Sequence, residues 1–330
     1  MQWDIGLEIG QTGVRLGTRE RGEVLVSPSW GARREGETIA LGDEALRMRG
    51  RTPRGVAVSR PVEGGSVADA RLMGGWIARI LGPLLSASRL SKPSVALVNS
   101  GFFQRGELDL IRAAVLELGA SRCGFLEADL LAAIGSGVDV TDPRGTLVVR
   151  VGAGTMSAFI VSYGRIVRCI RRTQGAEQID EAIVRLLREE CGLGVGLEQA
   201  EALKKSLSGR LGERSEVASV VGLDRTTGFP VRREVSAGLV RRAFDPLSDA
   251  IVCMALEVLG QAPDELCADL LDSGIVLTGG GAHIAGLDAL LREQCGLKCR
   301  AADSPENASS RALARVLRDE QLSELIDQAG

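Results

Sequence analysis

The sequence predicts an α/β fold in which helices pack on mixed β-sheets, and three observations carry that prediction. Short runs rich in β-branched and aliphatic residues alternate with longer segments whose apolar residues recur at helical spacing. A strand that ends in a glycine turn occurs twice, 142 residues apart. The 330 residues also match two domains of about 100 to 200 residues, or one large bilobed one.

The strands are expected at Ile5 to Ile9, Val95 to Val98, Leu147 to Val151, Ala158 to Ser162 and Ile275 to Thr278, and most are apolar enough to be buried on both faces. A helix is expected over 107 to 118, with Leu108, Ile111, Val115 and Leu118 on one side. Another is expected over 178 to 191, carried by Ile179, Ile183, Leu186 and Leu187. After Ser304, Pro305 at a first helical position leads into Ala308, Ala312, Leu313 and Val316, so a last helix is expected to start there.

The repeat pairs Leu7-Glu8-Ile9-Gly10-Gln11-Thr12-Gly13 with Val149-Arg150-Val151-Gly152-Ala153-Gly154-Thr155. Both leave a strand through glycine, which accepts positive φ without steric penalty. Two such turns suggest two related lobes facing each other across a cleft, with 136 to 146, rich in Asp, Pro and Gly, as the connection.

Composition excludes several classes of protein. Hydrophobic residues make up 45% and charged residues 25%, with a net charge of -3, which fits a globular chain and gives no electrostatic case for nucleic acid. Aromatic residues, at 3%, offer no stacking platform for single strands. The N-terminus lacks a secretory pattern, and no apolar run approaches the roughly 20 residues needed to span a bilayer, so a cytoplasmic location is expected. The seven cysteines are scattered without the C-x-x-C spacing of a zinc or redox site, and read as reduced packing thiols.

Three glycine turns, each directly after an apolar strand, together point to a nucleotide cradle: Gly10 to Gly13, Gly152 to Thr155, and Thr278-Gly279-Gly280-Gly281-Ala282. Glycine lets backbone N–H groups approach an anion closely, and a helix N-terminus beyond the turn adds a favourable dipole.

At these residues the chain resembles the actin, DnaK-chaperone and sugar-kinase superfamily, and within it the bacterial MreB proteins. The likeness runs through LGDEALRMRGRTP and RPVEGGSVAD (41 to 53 and 60 to 69), LAAIGSG (131 to 137), GAEQIDEAI (175 to 183), PDELCADLLDSGIVLTGGGAHIAGLDALL (263 to 291) and AADSPENASSRALARVL (301 to 317). It implies a two-lobed actin-like, ribonuclease H-like fold with a cleft between lobes. The first lobe would take residues 1 to 143, with 317 to 330 returning to it, and the second 144 to 316. It also implies ATP as ligand, held by Gly10, Gln11, Thr12, Gly13, Gly152, Ala153, Gly154, Thr155, Gly279, Gly280 and Gly281. Glu201 and Lys204, three residues apart on one helical face, would hold the ribose and base.

The departures from the family pattern bear on chemistry. The resemblance places an Asp at the first loop, where Glu8 stands, and a second Asp where Arg150 stands, so Glu8 is the remaining candidate ligand for magnesium and a cation occupies the other position. The Glu that positions the attacking water is replaced by Ala128, with Glu127 and Asp129 flanking it as possible substitutes. At most a weak ATPase follows. Since the family sets the two strand ends across the phosphate cleft, Glu8 and Arg150 are expected to pair, or Arg150 to meet the phosphates with its planar fork.

Smaller features complete the reading. His283, the single histidine, reads as a packing or helix-start residue. Leu84, Leu85 and Leu90, interrupted by Ser86 and Ser88, lie near where the family carries an apolar membrane-touching loop, which raises peripheral membrane contact at the inner face. The resemblance implies a cytoskeletal, cell-shape or scaffold protein that forms filaments or joins related ones. The alternatives are a non-polymerising pseudo-ATPase adaptor that recruits partners and, more remotely, a small-molecule kinase of the same superfamily.

Overall fold

The computed structural model describes residues 2–87, 92–208 and 217–326. The chain divides into two compact units, the first formed by Met1–Pro143, Ser162–Arg165 and Asn307–Gly330, the second by Arg144–Val161 and Ile166–Glu306.

In the first unit, five strands form one mixed sheet: β1 (Ile5–Ile9), β2 (Gly13–Thr18), β3 (Gly22–Pro28), β4 (Ser94–Asn99) and β5 (Arg122–Glu127), in the order β3-β2-β1-β4-β5. β1 runs antiparallel to β2 and parallel to β4, and β4 runs parallel to β5. Ile5, Leu7, Ile9, Val95 and Leu97 are buried because helices cover the sheet. α1 (Ala70–Ala87) buries Leu72, Met73, Trp76, Ile77, Ile80, Leu81 and Leu85. α2 (Arg105–Glu117) turns Leu108, Ile111 and Val115 inward and starts on a reciprocal capping box between Gln104 and Glu107, which satisfies amide groups left free by the first turn. α3 (Ala128–Gly135) is buried from Ala128 through Ile134.

The second unit repeats that sheet. β6 (Thr146–Val151), β7 (Met156–Ser162), β8 (Arg165–Arg172), β9 (Ile275–Thr278) and β10 (Cys299–Ala301) lie in the order β8-β7-β6-β9-β10. β6 is antiparallel to β7 and parallel to β9, as β1 is to β2 and β4. β7 is buried along its whole length, Ser157 and Ser162 included. α4 (Glu177–Cys191) and α5 (Leu197–Ser208) pack against one another in this unit. A smaller antiparallel sheet of Leu193–Gly194, Val217–Asp224 and Pro230–Ser236 stands beside them.

Three expectations are corrected. The late α-helix expected after Ser304 starts at Ala308 rather than Pro305, because Pro305–Asn307 is a separate 3-10 turn and Asn307, at φ -103° and ψ 7°, interrupts the helical path. That helix (Ala308–Arg318) belongs to the first unit rather than to the second, so the return to the first lobe begins well before residue 317. Its apolar stripe explains why. Leu313 packs on the β1 and β2 backbone, where a Cβ on Gly6 would come within 2.8 Å of it, and Gly17 leaves room for it too. Finally, Leu85 lies on the buried side of α1, four residues after Leu81, which removes it as a membrane-touching residue, while Leu84 is half-buried against the same core. Leu90 and Ser88 lie outside the described residues, among which no helix is long and apolar enough to cross a membrane.

Candidate functional site

The two repeated turns have the same geometry. Gly10 N–H donates to Gly13 O at 2.9 Å, and Gly152 N–H donates to Thr155 O at 2.8 Å. Strand pairing sets Glu8 opposite Arg15 and Ile9 opposite Val14 in the first hairpin, and Arg150 opposite Ser157 and Val151 opposite Met156 in the second. Every position of the first hairpin therefore has its counterpart 142 residues on. Positive φ is not what these turns need from glycine, since none of Gly10, Gly13, Gly152 and Gly154 has it. Gly152 supplies room instead, whereas a Cβ at Gly10 or Gly13 would meet only ordinary contacts. A Cβ on Gly13 would lie 3.4 Å from Ser27 O, and one on Gly152 would lie 3.0 Å from Thr155 O.

Each turn is fastened from outside. Gln11 Oε1 accepts from Gly64 N–H at 2.8 Å, Ser29 Oγ donates to Gln11 O, and Thr12 is exposed at the tip. On the second turn, Ala176 N–H and Glu177 N–H, at the start of α4, donate to Gly152 O and Ala153 O, both at 2.9 Å. Gly175 permits that approach, since a Cβ there would sit 2.4 Å from Ala153 O. Gly154 and Thr155 remain half-buried.

The third turn does require positive φ. Gly279 has φ +82°, and a Cβ on it would be 2.4 Å from Val151 O, while one on Gly281 would be 2.2 Å from Val151 Cγ1. The turn thus lies directly against the end of β6. Gly280 is exposed, Gly279 N–H donates to Pro305 O at 3.2 Å, and His283 pairs at the surface with Glu306 at 2.7 Å.

The structure brings Lys204 and Glu201 to different partners. Lys204 Nζ donates to Asp180 Oδ2 at 2.7 Å and to Ala176 O at 3.0 Å, whereas Glu201 pairs with Lys205 at 2.7 Å on the helix surface. Lys204 therefore supports the same Ala176 backbone that fastens Gly152. Asp180 is buried, its Oδ1 has no hydrogen-bond partner, and burial pushes its pKa up from 3.8 to about 6 against the opposing hydrogen bond and charge of Lys204.

Glu8 is held within its own hairpin by Arg15, whose Nη1 lies 3.1 Å from Glu8 Oε2, with both side chains largely buried at 17% and 14% exposure. Of the residues around the missing catalytic Glu, Ala128 opens α3, Asp129 is fully buried, and Glu127 is half-buried and accepts from Asn99 Nδ2 at 3.0 Å. Among the described residues no group of three His, Cys, Asp or Glu side chains could hold a metal ion. Arg15 was not picked out by motif, and Gly175 and Asp180 lie in the GAEQIDEAI stretch without an assigned role. Arg15 had a readable signal, since a four-residue turn closing at Gly10 and Gly13 puts position 15 opposite position 8.

Two copies of one five-stranded sheet, each bearing a glycine hairpin between its first two strands, define an actin-like protein of the ribonuclease H type. The family model described as MreB/Mbl protein matches residues 2–324, and the chain belongs to that family. Mbl of Bacillus subtilis, a cell shape-determining protein, is 31% identical over 305 residues, covering 92% of each chain. MreB of Escherichia coli K12, also cell shape-determining, is 29% identical over 336 residues, covering 99% of this chain and 95% of the other. The crystal structure of MreB 5 of Spiroplasma citri bound to AMPPNP superposes with a TM-score of 0.85 at 26% identity, covering 93% of each chain. A MamK double helical filament shares the fold, with a TM-score of 0.76 at 18% identity over 96% of this chain and 98% of that one.

Proposed function

We propose that this chain is a cytoplasmic cell-shape cytoskeletal protein that binds adenine nucleotide, assembles into filaments or joins those of a relative, and hydrolyses ATP slowly or not at all. The observation that carries the reading is the residue-for-residue match of the two glycine hairpins, which supplies paired backbone cradles for phosphate. The nucleotide reading draws support from the Spiroplasma relative crystallised with AMPPNP, and the filament reading from family membership. In this reading Gly10 to Gly13 and Gly152 to Thr155 face the phosphates and Gly279 to Gly281 the nucleoside. Lys204 is a positioning residue for the second turn, and Glu201, which pairs with Lys205 on the helix surface, is the residue proposed for the ribose.

Slow hydrolysis follows from the side chains at three positions. Ala128 has no carboxylate to orient water, Arg150 replaces a metal-site acid, and Glu8 is already engaged by Arg15. A resident magnesium does not fit this donor set. Sedimentation with and without ATP, together with steady-state phosphate release, tests the proposal. Pelleting at a phosphate-release rate about tenfold or more below that of an MreB with both acids is the expected result, each 1.4 kcal/mol of lost barrier stabilisation being about a tenfold slowing. Turnover at that relative's rate would sink the slow-hydrolysis reading. A chain that never pellets, alone or with a related filament, would favour the adaptor.

A further inference from the structure

We infer that copies of this chain join through an asymmetric charged contact, in which the arginine-rich segment of the first unit, residues 47–54, seats on the acidic surface around helix Cys267–Ser273 of a second copy. This rests on the filament assembly proposed above and names the surfaces that carry it.

The net charge of -3 hides a segregation of charge along the chain. Residues 45 to 62 hold five arginines, Arg47, Arg49, Arg51, Arg54 and Arg60, and no acidic residue. Residues 243 to 291 hold eight Asp and Glu and no Lys or Arg. Solvated surfaces intersperse both signs, so two long single-sign stretches of opposite sign fit a contact in which they meet.

The basic segment has a defined shape. It leads from helix Asp43–Met48 to strand Val56–Ser59, and both ends are anchored where Ala45, Met48, Val56 and Val58 share a small core. Arg51 N–H donates to Met48 O at 3.0 Å, and Val56 N–H donates to Pro53 O at 3.2 Å. Arg49 lies over the Trp30 ring, 4.7 Å from its centroid, which engages one of the four guanidinium groups. Arg47, Arg51 and Arg54 are exposed, and among the described residues none of them has an ion-pair partner. Leu46, next in sequence to Arg47, is also exposed.

The acidic surface is helical. A 3-10 turn, Asp264–Leu266, runs into helix Cys267–Ser273, which buries Leu270 and leaves Asp264, Glu265, Ala268, Leu271 and Asp272 exposed at helical spacing. Asp264, Glu265 and Asp272 likewise have no ion-pair partner among the described residues, and Leu271 is 63% exposed. Each surface thus offers three unpaired charges of one sign together with an exposed leucine, and the signs are opposite. A lipid surface would account for the arginines alone, whereas a second copy accounts for both surfaces. Because the contact uses different surfaces on its two sides, each added copy brings one of each, and assembly continues into a filament wherever the rotation does not close a ring.

Sedimentation of the full chain in ATP tests the inference. Raising NaCl from about 0.1 M to about 1 M shortens the screening length from about 10 Å to about 3 Å, and the critical concentration should rise severalfold. Arg51→Glu with Arg54→Glu, and separately Asp264→Arg with Glu265→Arg, should each raise it about tenfold or more, because like charges then face one another. An equimolar mixture of the two variants should pellet near the parent's concentration, since each altered surface then meets its complement, and that recovery also shows that both are folded. Parent assembly indifferent to salt, or either variant assembling at the parent's concentration, overturns the inference and leaves the filament reading standing. A mixture that does not recover, with both variants folded by circular dichroism, does the same. An arginine variant that pellets normally but no longer binds phosphatidylglycerol vesicles assigns the segment to a lipid surface and overturns the inference. A parent that stays monomeric in analytical ultracentrifugation overturns the filament reading, and the inference with it.

Discussion

Asp180 keeps its proton to higher pH than an ordinary aspartate, because burial pushes its pKa to about 6, and Lys204 only partly offsets this while Glu201 and Glu177 add to it. The folded state thus holds this proton more tightly than the unfolded state, where the value is 3.8. The contribution to stability is full below about pH 4 and declines as pH rises through about 6, by on the order of 3 kcal/mol. Lys204→Met should raise the Asp180 pKa further, as followed by carboxyl NMR, and destabilise the protein by about 2 to 3 kcal/mol at pH 8 but clearly less at pH 5. Equal losses at both pH values in denaturant unfolding would mean that Lys204 acts through the Ala176 carbonyl alone. At Gly279 the obstacle is backbone. An alanine there meets Val151 O at 2.4 Å and must hold φ +82°, so Gly279→Ala should lower stability by about 2 kcal/mol or more and weaken AMPPNP binding at the same time. The sequence displayed the glycines of this turn but not their two separate uses, because positive φ and close approach leave the same letter. It could not display the Lys204–Asp180 pair either, whose partners come from different helices.

At the scale of elements, α3 and the helix Ala308–Arg318 pack together and approach so closely at Gly135 that no side chain fits there. A Cβ on Gly135 would lie 1.9 Å from Ala308 O, so Gly135→Ala must push the two helices apart. A loss of about 2 to 3 kcal/mol is expected, read as a lower denaturant midpoint with unchanged slope. Gly137→Ala is the control for substitution itself, since no atom lies within 4 Å of its Cβ position, although its φ of +78° carries a conformational penalty of about 1 kcal/mol. An equal midpoint shift for both would show that the close approach is not limiting. Ile5–Ile9 and Ile275–Thr278 were legible to the residue because each is a short, mainly aliphatic run that ends where the chain turns through glycine. The start of the last helix was misread because Pro305 is an equally good first residue for a 3-10 turn, and nothing local reports that Asn307 leaves the helical region.

For the whole molecule, the decisive fact is that the first unit is assembled from three separate stretches of chain while the second lies entirely within residues 144 to 306. A chain ending at residue 306 would lose Ala308, Ala312, Leu313, Val316, Leu317, Leu322 and Ile326 from the core of the first unit. At about 1.5 to 3 kcal/mol for each large apolar side chain, that is as large as the net stability of about 5 to 15 kcal/mol typical of a domain. Hydrogen exchange on such a truncation should find β1 and β2 unprotected and β6, β7 and β9 still protected, and protection in both sheets would refute the argument. The repeat at 142 residues made the two sheets foreseeable, but no local pattern says to which sheet a terminal helix returns. That return also sets the order of events during synthesis. β1 and β2 are translated before the second unit, yet the helix that packs on Gly6 and Gly17 is translated after it. The nascent chain therefore carries an uncovered first sheet while the whole second unit is being made, so that apolar face stays open until the returning helix is added.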